Sequence, residues 1–137
     1  MKSARIEFER VRRPIREHVT KFGGQPNWRS EPEWPLSKQL GRPMRFIAQV
    51  RIPEEVFGSN GEKTAYIFMT DDDEYVDGTW EPEGGENAVI IQPATESEPP
   101  SVPVRGEQAG PTLRHYVKKW FSNKTREQEV EFRAKLS

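Results

Sequence analysis

Cysteine is missing from this chain altogether, and that one absence removes several chemistries. Disulfides, thiolate zinc sites, iron–sulfur clusters and thiol nucleophiles are all excluded. A cysteine-free chain suits a reducing compartment, so a cytoplasmic location is the expectation. Long apolar runs are lacking too. None approaches the ~20 residues of a membrane span, and the opening MKSARIEFERVRRP lacks the apolar stretch of a secretion signal. No membrane partner is expected. Histidine is scarce, with only His18 and His115, and no G-x-S-x-G elbow is present, so nucleophilic catalysis has little to stand on. The net charge is only −1, too small to gather nucleic acid by a global field. The basic stretch Arg10–Arg16 carries cations without interleaved aromatics, so nucleic acid is not expected as a partner.

What is present is unusual in its balance. Hydrophobic residues make up 33% of the chain and the mean hydropathy is −0.90, both low for a globular domain. Aromatic residues, at 10%, offset this because each buries a large area. The 137 residues suit one domain, 1–137, with a small aromatic core and long ordered loops. Charge is unevenly spread. Met1–Arg16 holds six basic residues against two acidic, whereas Asp71–Glu86 holds eight acidic residues and no basic one. Acidic oxygens at Asp71–Glu74 and Asp77 do not follow the EF-hand spacing. Neither Gly23-Gly24 nor Gly84-Gly85 opens a helix that would cradle phosphate. No metal, no cofactor and no catalytic residue is assigned.

Alternation of apolar and polar residues sets out the strands. Arg5–Glu9 and His18–Phe22 read as short extended pieces. Met44–Ile52 is the clearest strand, with Met44, Phe46, Ala48, Val50 and Ile52 expected on the core face. Pro53 starts a single helical turn through Phe57. Ala65–Met69 is apolar on both faces and so expected to be central. Asn87–Gln92 is a third strong strand, and Val102 and Val104 suggest a short edge strand. Leu113, Tyr116, Val117, Trp120 and Phe121 fall at helical spacing, which predicts an amphipathic helix beginning near Thr112. Val130–Leu136 alternates again and reads as a last strand. The expected class is α+β: mainly antiparallel β-sheet with long Pro/Trp-rich loops and one C-terminal amphipathic helix.

Between the first strands lies TKFGGQPNWRSEPEWPLSKQLGRPMRFIAQV, with a Gly-Gly pair, four prolines and two tryptophans. Prolines forbid a long regular element there and stiffen the loop. Lys21, Gly23, Gly24, Pro26, Trp34, Pro35, Gly41, Pro43, Met44, Phe46, Gln49, Tyr66 and Phe68, with "TWEPEGGENAVIIQP" further on, resemble the YwqG-like family of uncharacterised bacterial proteins. The resemblance runs from Lys21 to Pro93 and more weakly through "GPTLRHYVKKWF" and "EVEFRAKL". It implies a mixed fold dominated by antiparallel sheet and implies no reaction. Longer relatives carry a second Gly-Gly-x-Pro segment. The resemblance therefore also allows this chain to be the N-terminal half of a duplicated fold. The chain is expected as a monomer, or as a homodimer through an edge strand such as Val130–Leu136.

Two readings of function follow. The first is a non-enzymatic binding module that recognises a protein partner of basic charge, in the manner of an immunity protein, through its acidic loop Asp71–Glu86 and its Trp/Pro loop Gly23–Pro43. The alternative is an enzyme or small-ligand protein with a pocket under the Gly-Gly/Trp-Pro loop. The candidate binding residues are Gln25, Trp28, Trp34, Gln49, Asp71, Asp72, Asp73, Trp80 and Asn87.

Overall fold

A computed structural model describes residues 5–57, 61–70, 76–94, 110–118 and 125–136. Eight strands and one helical turn follow in chain order: β1 (Ile6–Arg10), β2 (Lys21–Gly23), β3 (Arg45–Ile52), α1 (Glu54–Phe57), β4 (Lys63–Met69), β5 (Asn87–Pro93), β6 (Arg114–Lys118), β7 (Thr125–Glu129) and β8 (Glu131–Leu136). Six of them form one sheet in the order β1-β8-β2-β3-β4-β5, and all five of its pairings are antiparallel. β6 and β7 pair as a separate antiparallel ribbon.

The predicted C-terminal helix is overturned. Arg114–Lys118 is strand β6, and the only helix among the described residues is the four-residue α1. Tyr116, Val117, Trp120 and Phe121 make up most of the supposed helical stripe, and all four residue types favour strands. β7 supplies a hydrogen-bonding partner along the full length of β6, from Arg114↔Glu129 to Lys118↔Thr125. The fold is therefore mostly antiparallel β-sheet, not α+β with a helix. Trp120 and Phe121, and the suggested edge strand at Val102 and Val104, lie outside the described residues. Val130–Leu136 is not an edge either: β8 runs between β1 and β2, and the sheet ends at β1 and β5.

A bulge in β3 decides which side chains become core. Phe46 pairs with Phe68, but Ala48 pairs with Ile67, so Ile47 is the extra residue. Such an insertion exchanges the two faces of everything beyond it. Phe46 therefore shares a face with Gln49, whereas Ala48 and Val50 point to the other side with Ile67 and Ala65. The predicted single face Met44–Ile52 is corrected on this point.

The inner face carries the core. Trp28, Phe46, Tyr66 and Phe68 are fully buried there with Met44, and Trp34, Ala88 and Ile90 pack around them. Trp28 lies nearly parallel to Phe68, with ring centroids 5.9 Å apart, and 4.6 Å from Tyr66. The Trp/Pro loop closes over this face, and polar side chains rooted in the sheet hold it there. Gln49 accepts from the Asn27 amide at 3.0 Å and donates to the Val19 carbonyl at 2.8 Å. Gln92 accepts from the amides of Arg29 and Ser30 at 2.8 and 3.0 Å and donates to the Glu31 carbonyl at 2.8 Å. The Tyr66 hydroxyl donates to the Asn27 carbonyl at 2.6 Å. Buried amides and hydroxyls satisfied in this way fix one loop conformation, because each would be costly left unpaired.

The Gly-Gly pair is explained by crowding. Gly23 and Gly24 have φ of 73° and 66°, a region that glycine reaches cheaply. A Cβ on Gly23 would stand 2.1 Å from the Val130 carbonyl oxygen, and one on Gly24 would stand 2.1 Å from a Glu131 carboxylate oxygen. That carboxylate pairs with Lys21, and both groups are buried. Its other oxygen accepts the Ile15 amide at 2.8 Å. Burial pushes the Lys21 ammonium below the usual lysine range, against the opposing hydrogen bond and charge of Glu131 and the charge of Glu129.

Candidate recognition surface

Residues 76–86 lead into β5 as a series of tight turns. The Thr79 amide donates to the Val76 carbonyl at 3.3 Å, the Glu81 amide to Gly78 at 3.1 Å and the Gly84 amide to Glu81 at 3.0 Å. Asn87 donates to the carbonyls of both Thr79 and Glu81 at 2.8 Å, tying the loop to the start of β5. Gly84 lies so close to Gly78 that a Cβ there would come within 2.3 Å of the Gly78 carbonyl oxygen.

Glu86 anchors the far end of the loop. It is fully buried, and its carboxylate accepts from Ser37 at 2.6 Å, Thr70 at 2.8 Å and the Gln39 amide at 2.8 Å. Burial alone would push this carboxyl up. The Ser37, Gln39 and Thr70 donors and the Lys38 charge outweigh it and hold Glu86 below its ordinary value of 4.5. The unfolded chain then takes up this proton at a higher pH than the folded one. Stability from Glu86 is complete above the ordinary carboxylate range and is lost as pH falls through the depressed folded value. Glu86→Gln should therefore flatten the fall in stability with acid between about pH 3 and 5, measured by urea unfolding at stepped pH. An unchanged slope would show that Glu86 does not carry the acid sensitivity.

This well-held loop presents its largest side chain outward. Trp80 is 75% exposed. It stands over a groove of about 370 Å³ whose lining includes Ile67, Met69, Pro82, Asn87 and Val89. Asp77, Glu81 and Glu83 are exposed beside it. The groove opens onto the outer face of the sheet. There Ile6, Phe8, Phe22, Val89 and Ile91 are between 36% and 58% exposed. Phe8 and Phe22 meet edge to face at 4.8 Å.

The other sequence-derived candidates separate into distinct places. Trp28 is fully buried and Trp34 half-buried, its Nε1 donating to the Met44 carbonyl at 2.6 Å. Gln49 lies beneath the loop as a clamp. Gln25 is exposed and donates to Glu129 at 3.0 Å, and Asn87 lines the Trp80 groove. Asp71, Asp72 and Asp73 lie outside the described residues. Sequence reasoning missed Gln92, Glu86 and the Lys21–Glu131 pair. The one available signal was a polar residue inside an otherwise apolar strand, as at Gln92 in NAVIIQP. Among the described residues no group of three or more His, Cys, Asp or Glu side chains is placed to hold a metal ion.

Fold and surface together define a small antiparallel-sheet domain with a braced aromatic loop beside an apolar sheet face. The family model described as "Domain of unknown function (DUF1963)" matches residues 20–132. The chain belongs to that family. No curated protein and no solved structure matches it.

Proposed function

We propose that this domain is a non-enzymatic protein-recognition module whose contact site is the Trp80 corner with its exposed Asp77, Glu81 and Glu83. The observation that carries the reading is a 75% exposed tryptophan on a loop held by turn hydrogen bonds and by Asn87. An aromatic anchor fixed before binding loses little entropy on association. The acidic rim favours a basic protein surface and speeds encounter with it. Neutralising a basic toxin, as an immunity protein does, is one form of this role.

Other features support recognition over catalysis. Trp28, Tyr66 and Phe68 fill the space beneath the Trp/Pro loop, where the alternative reading needs a pocket. Glu86 is engaged by three donors and Glu131 by two, which leaves them poorly placed as general bases. A bacterial, cytoplasmic setting and the narrower YwqG-like kinship belong to the same reading, supported by the absence of cysteine and by the ordered motifs from Lys21 to Pro93. No helix among the described residues is long and apolar enough to cross a membrane.

The test compares wild type with Trp80→Ala and with the triple change Asp77→Lys, Glu81→Lys, Glu83→Lys, each immobilised and exposed to lysate. The expected result is a protein retained by wild type and lost from both variants, with the thermal midpoint unchanged within about 2 °C. Identical retention by all three would refute the site.

A further inference from the structure

We propose that the basic surface recognised by the Trp80 corner is on a second copy of this chain, the two copies packing outer face to outer face about a two-fold axis that runs along the strands. The proposal rests on the recognition reading and names its partner.

The outer face is apolar over the whole sheet. The registers place Phe22, Ala48, Ile67 and Val89 in one row across β2, β3, β4 and β5, and Val50, Ala65 and Ile91 in the next. Ile6 and Phe8 extend the face along β1. Antiparallel sheets with one face in water normally alternate to polar residues on that side. Among the described paired strands Arg10, Arg45 and Lys63 bring charge to this face; all three stand at its perimeter, and the Arg45 guanidinium is turned to the Thr112 carbonyl.

Size argues for a partner of equal extent. A six-stranded sheet with strands of five to eight residues, apart from the three-residue β2, presents a face of roughly 25 by 20 Å, about 500 Å² per copy. Burying it on both copies removes on the order of 1,000 Å², which reaches the lower bound for a specific interface before the rims are added. An open apolar face of that size is at the upper end of what isolated soluble domains expose, and patches of that size are often functional. Sheet-on-sheet packing would interdigitate the Phe8, Phe22, Val89 and Ile91 side chains as in a β-sandwich.

Charge selects the axis. Arg10 shares a row with Phe132, Phe22, Ala48, Ile67 and Val89, and Val11 continues the pairing one residue further, so Arg10 and the exposed Arg12 and Arg13 that follow it leave β1 at the same end of the sheet as the Trp80 loop, on the opposite edge. A two-fold axis along the strands exchanges the edges and keeps the ends. It sets the basic edge of each copy over the acidic corner of the other, twice per dimer. A two-fold axis across the strands would set like edge against like edge and lose this match.

Sedimentation equilibrium over a range of protein and salt concentrations tests the proposal. Wild type is expected to be a dimer weakened by salt, since the rim pairs are exposed. Val89→Lys with Ile91→Lys should raise the dissociation constant roughly 100-fold, and both positions are exposed enough to leave the fold intact. Glu81→Arg with Glu83→Arg should also weaken the dimer, and adding Arg12→Glu with Arg13→Glu should restore it. A wild type that stays monomeric, or a dimer indifferent to the β5 change, overturns the second copy. A charge swap that fails to restore the dimer overturns the axis. None of these results depends on the lysate comparison above, so the two readings fail separately.

Discussion

Trp28→Ala is expected to cost about 3–5 kcal/mol of unfolding free energy, enough to abolish much of the stability of a domain this size. The indole is fully buried and touches the rings of Trp34, Tyr66 and Phe68. Its removal leaves a void between loop and sheet that the proline-stiffened chain cannot readily collapse into. The backbone of neighbouring Asn27 and Arg29 is fixed by Gln49, Tyr66 and Gln92, which further limits relaxation. Trp80→Ala removes the same number of atoms and is expected to change stability by no more than about 0.5 kcal/mol, because an exposed side chain leaves no cavity. Urea unfolding of the two variants side by side checks both figures. Equal losses would contradict the division between plug and contact residue.

The second large effect is expected at Glu131. Glu131→Ala strands the Lys21 ammonium in a buried site and should destabilise by about 3–5 kcal/mol. One further contact enlarges the loss: the Ile15 amide loses its acceptor. Lys21 keeps the Gln25 carbonyl at 2.6 Å, a neutral acceptor that does not balance its charge. Replacing both members, Lys21→Met with Glu131→Leu, should recover a large part of the loss, because the charge to be desolvated is gone. Chemical denaturation of the single and double variants measures the difference. A double variant no better than Glu131→Ala would mean that the carboxylate acts chiefly through Ile15.

Much of the sheet was readable from alternation alone. β3, β4, β5 and β8 coincide with the apolar-polar runs at Met44–Ile52, Ala65–Met69, Asn87–Gln92 and Val130–Leu136. The order of the strands was not readable, because pairing is set by contacts between distant segments. The Ile47 bulge was hidden for the same reason: the apolar run Phe46-Ile47-Ala48 in RFIAQVRI reads equally well as a strand with both faces covered, and only the partner strand reveals the extra residue. Helical spacing misled at Arg114–Lys118, where β-favouring residues at short range outvoted a three-to-four periodicity.

The surface was partly legible. Trp28, Trp34 and Trp80 are one residue type with three outcomes: buried, half-buried and exposed. Nothing in their immediate neighbours separates the first two. Trp80 sits in TWEPE beside two glutamates, which gave a hint of exposure. The clamps Gln49, Gln92 and Glu86 were less legible, because a polar residue in a strand reads as solvent-facing until a loop is seen to lie on it.

The position of β8 has a consequence for how the molecule assembles during synthesis. β1 leaves the ribosome early, yet its only neighbour in the sheet comes from the opposite end of the described chain. Until that strand emerges, β1 has nothing to pair with, and Lys21 has no counter-charge to enter the interior with. The late segment must then thread between two waiting strands, a slow step dominated by sequence-distant contacts. A nascent chain stalled before residue 131 would thus display two unsatisfied strand margins, the form in which a chaperone would meet it.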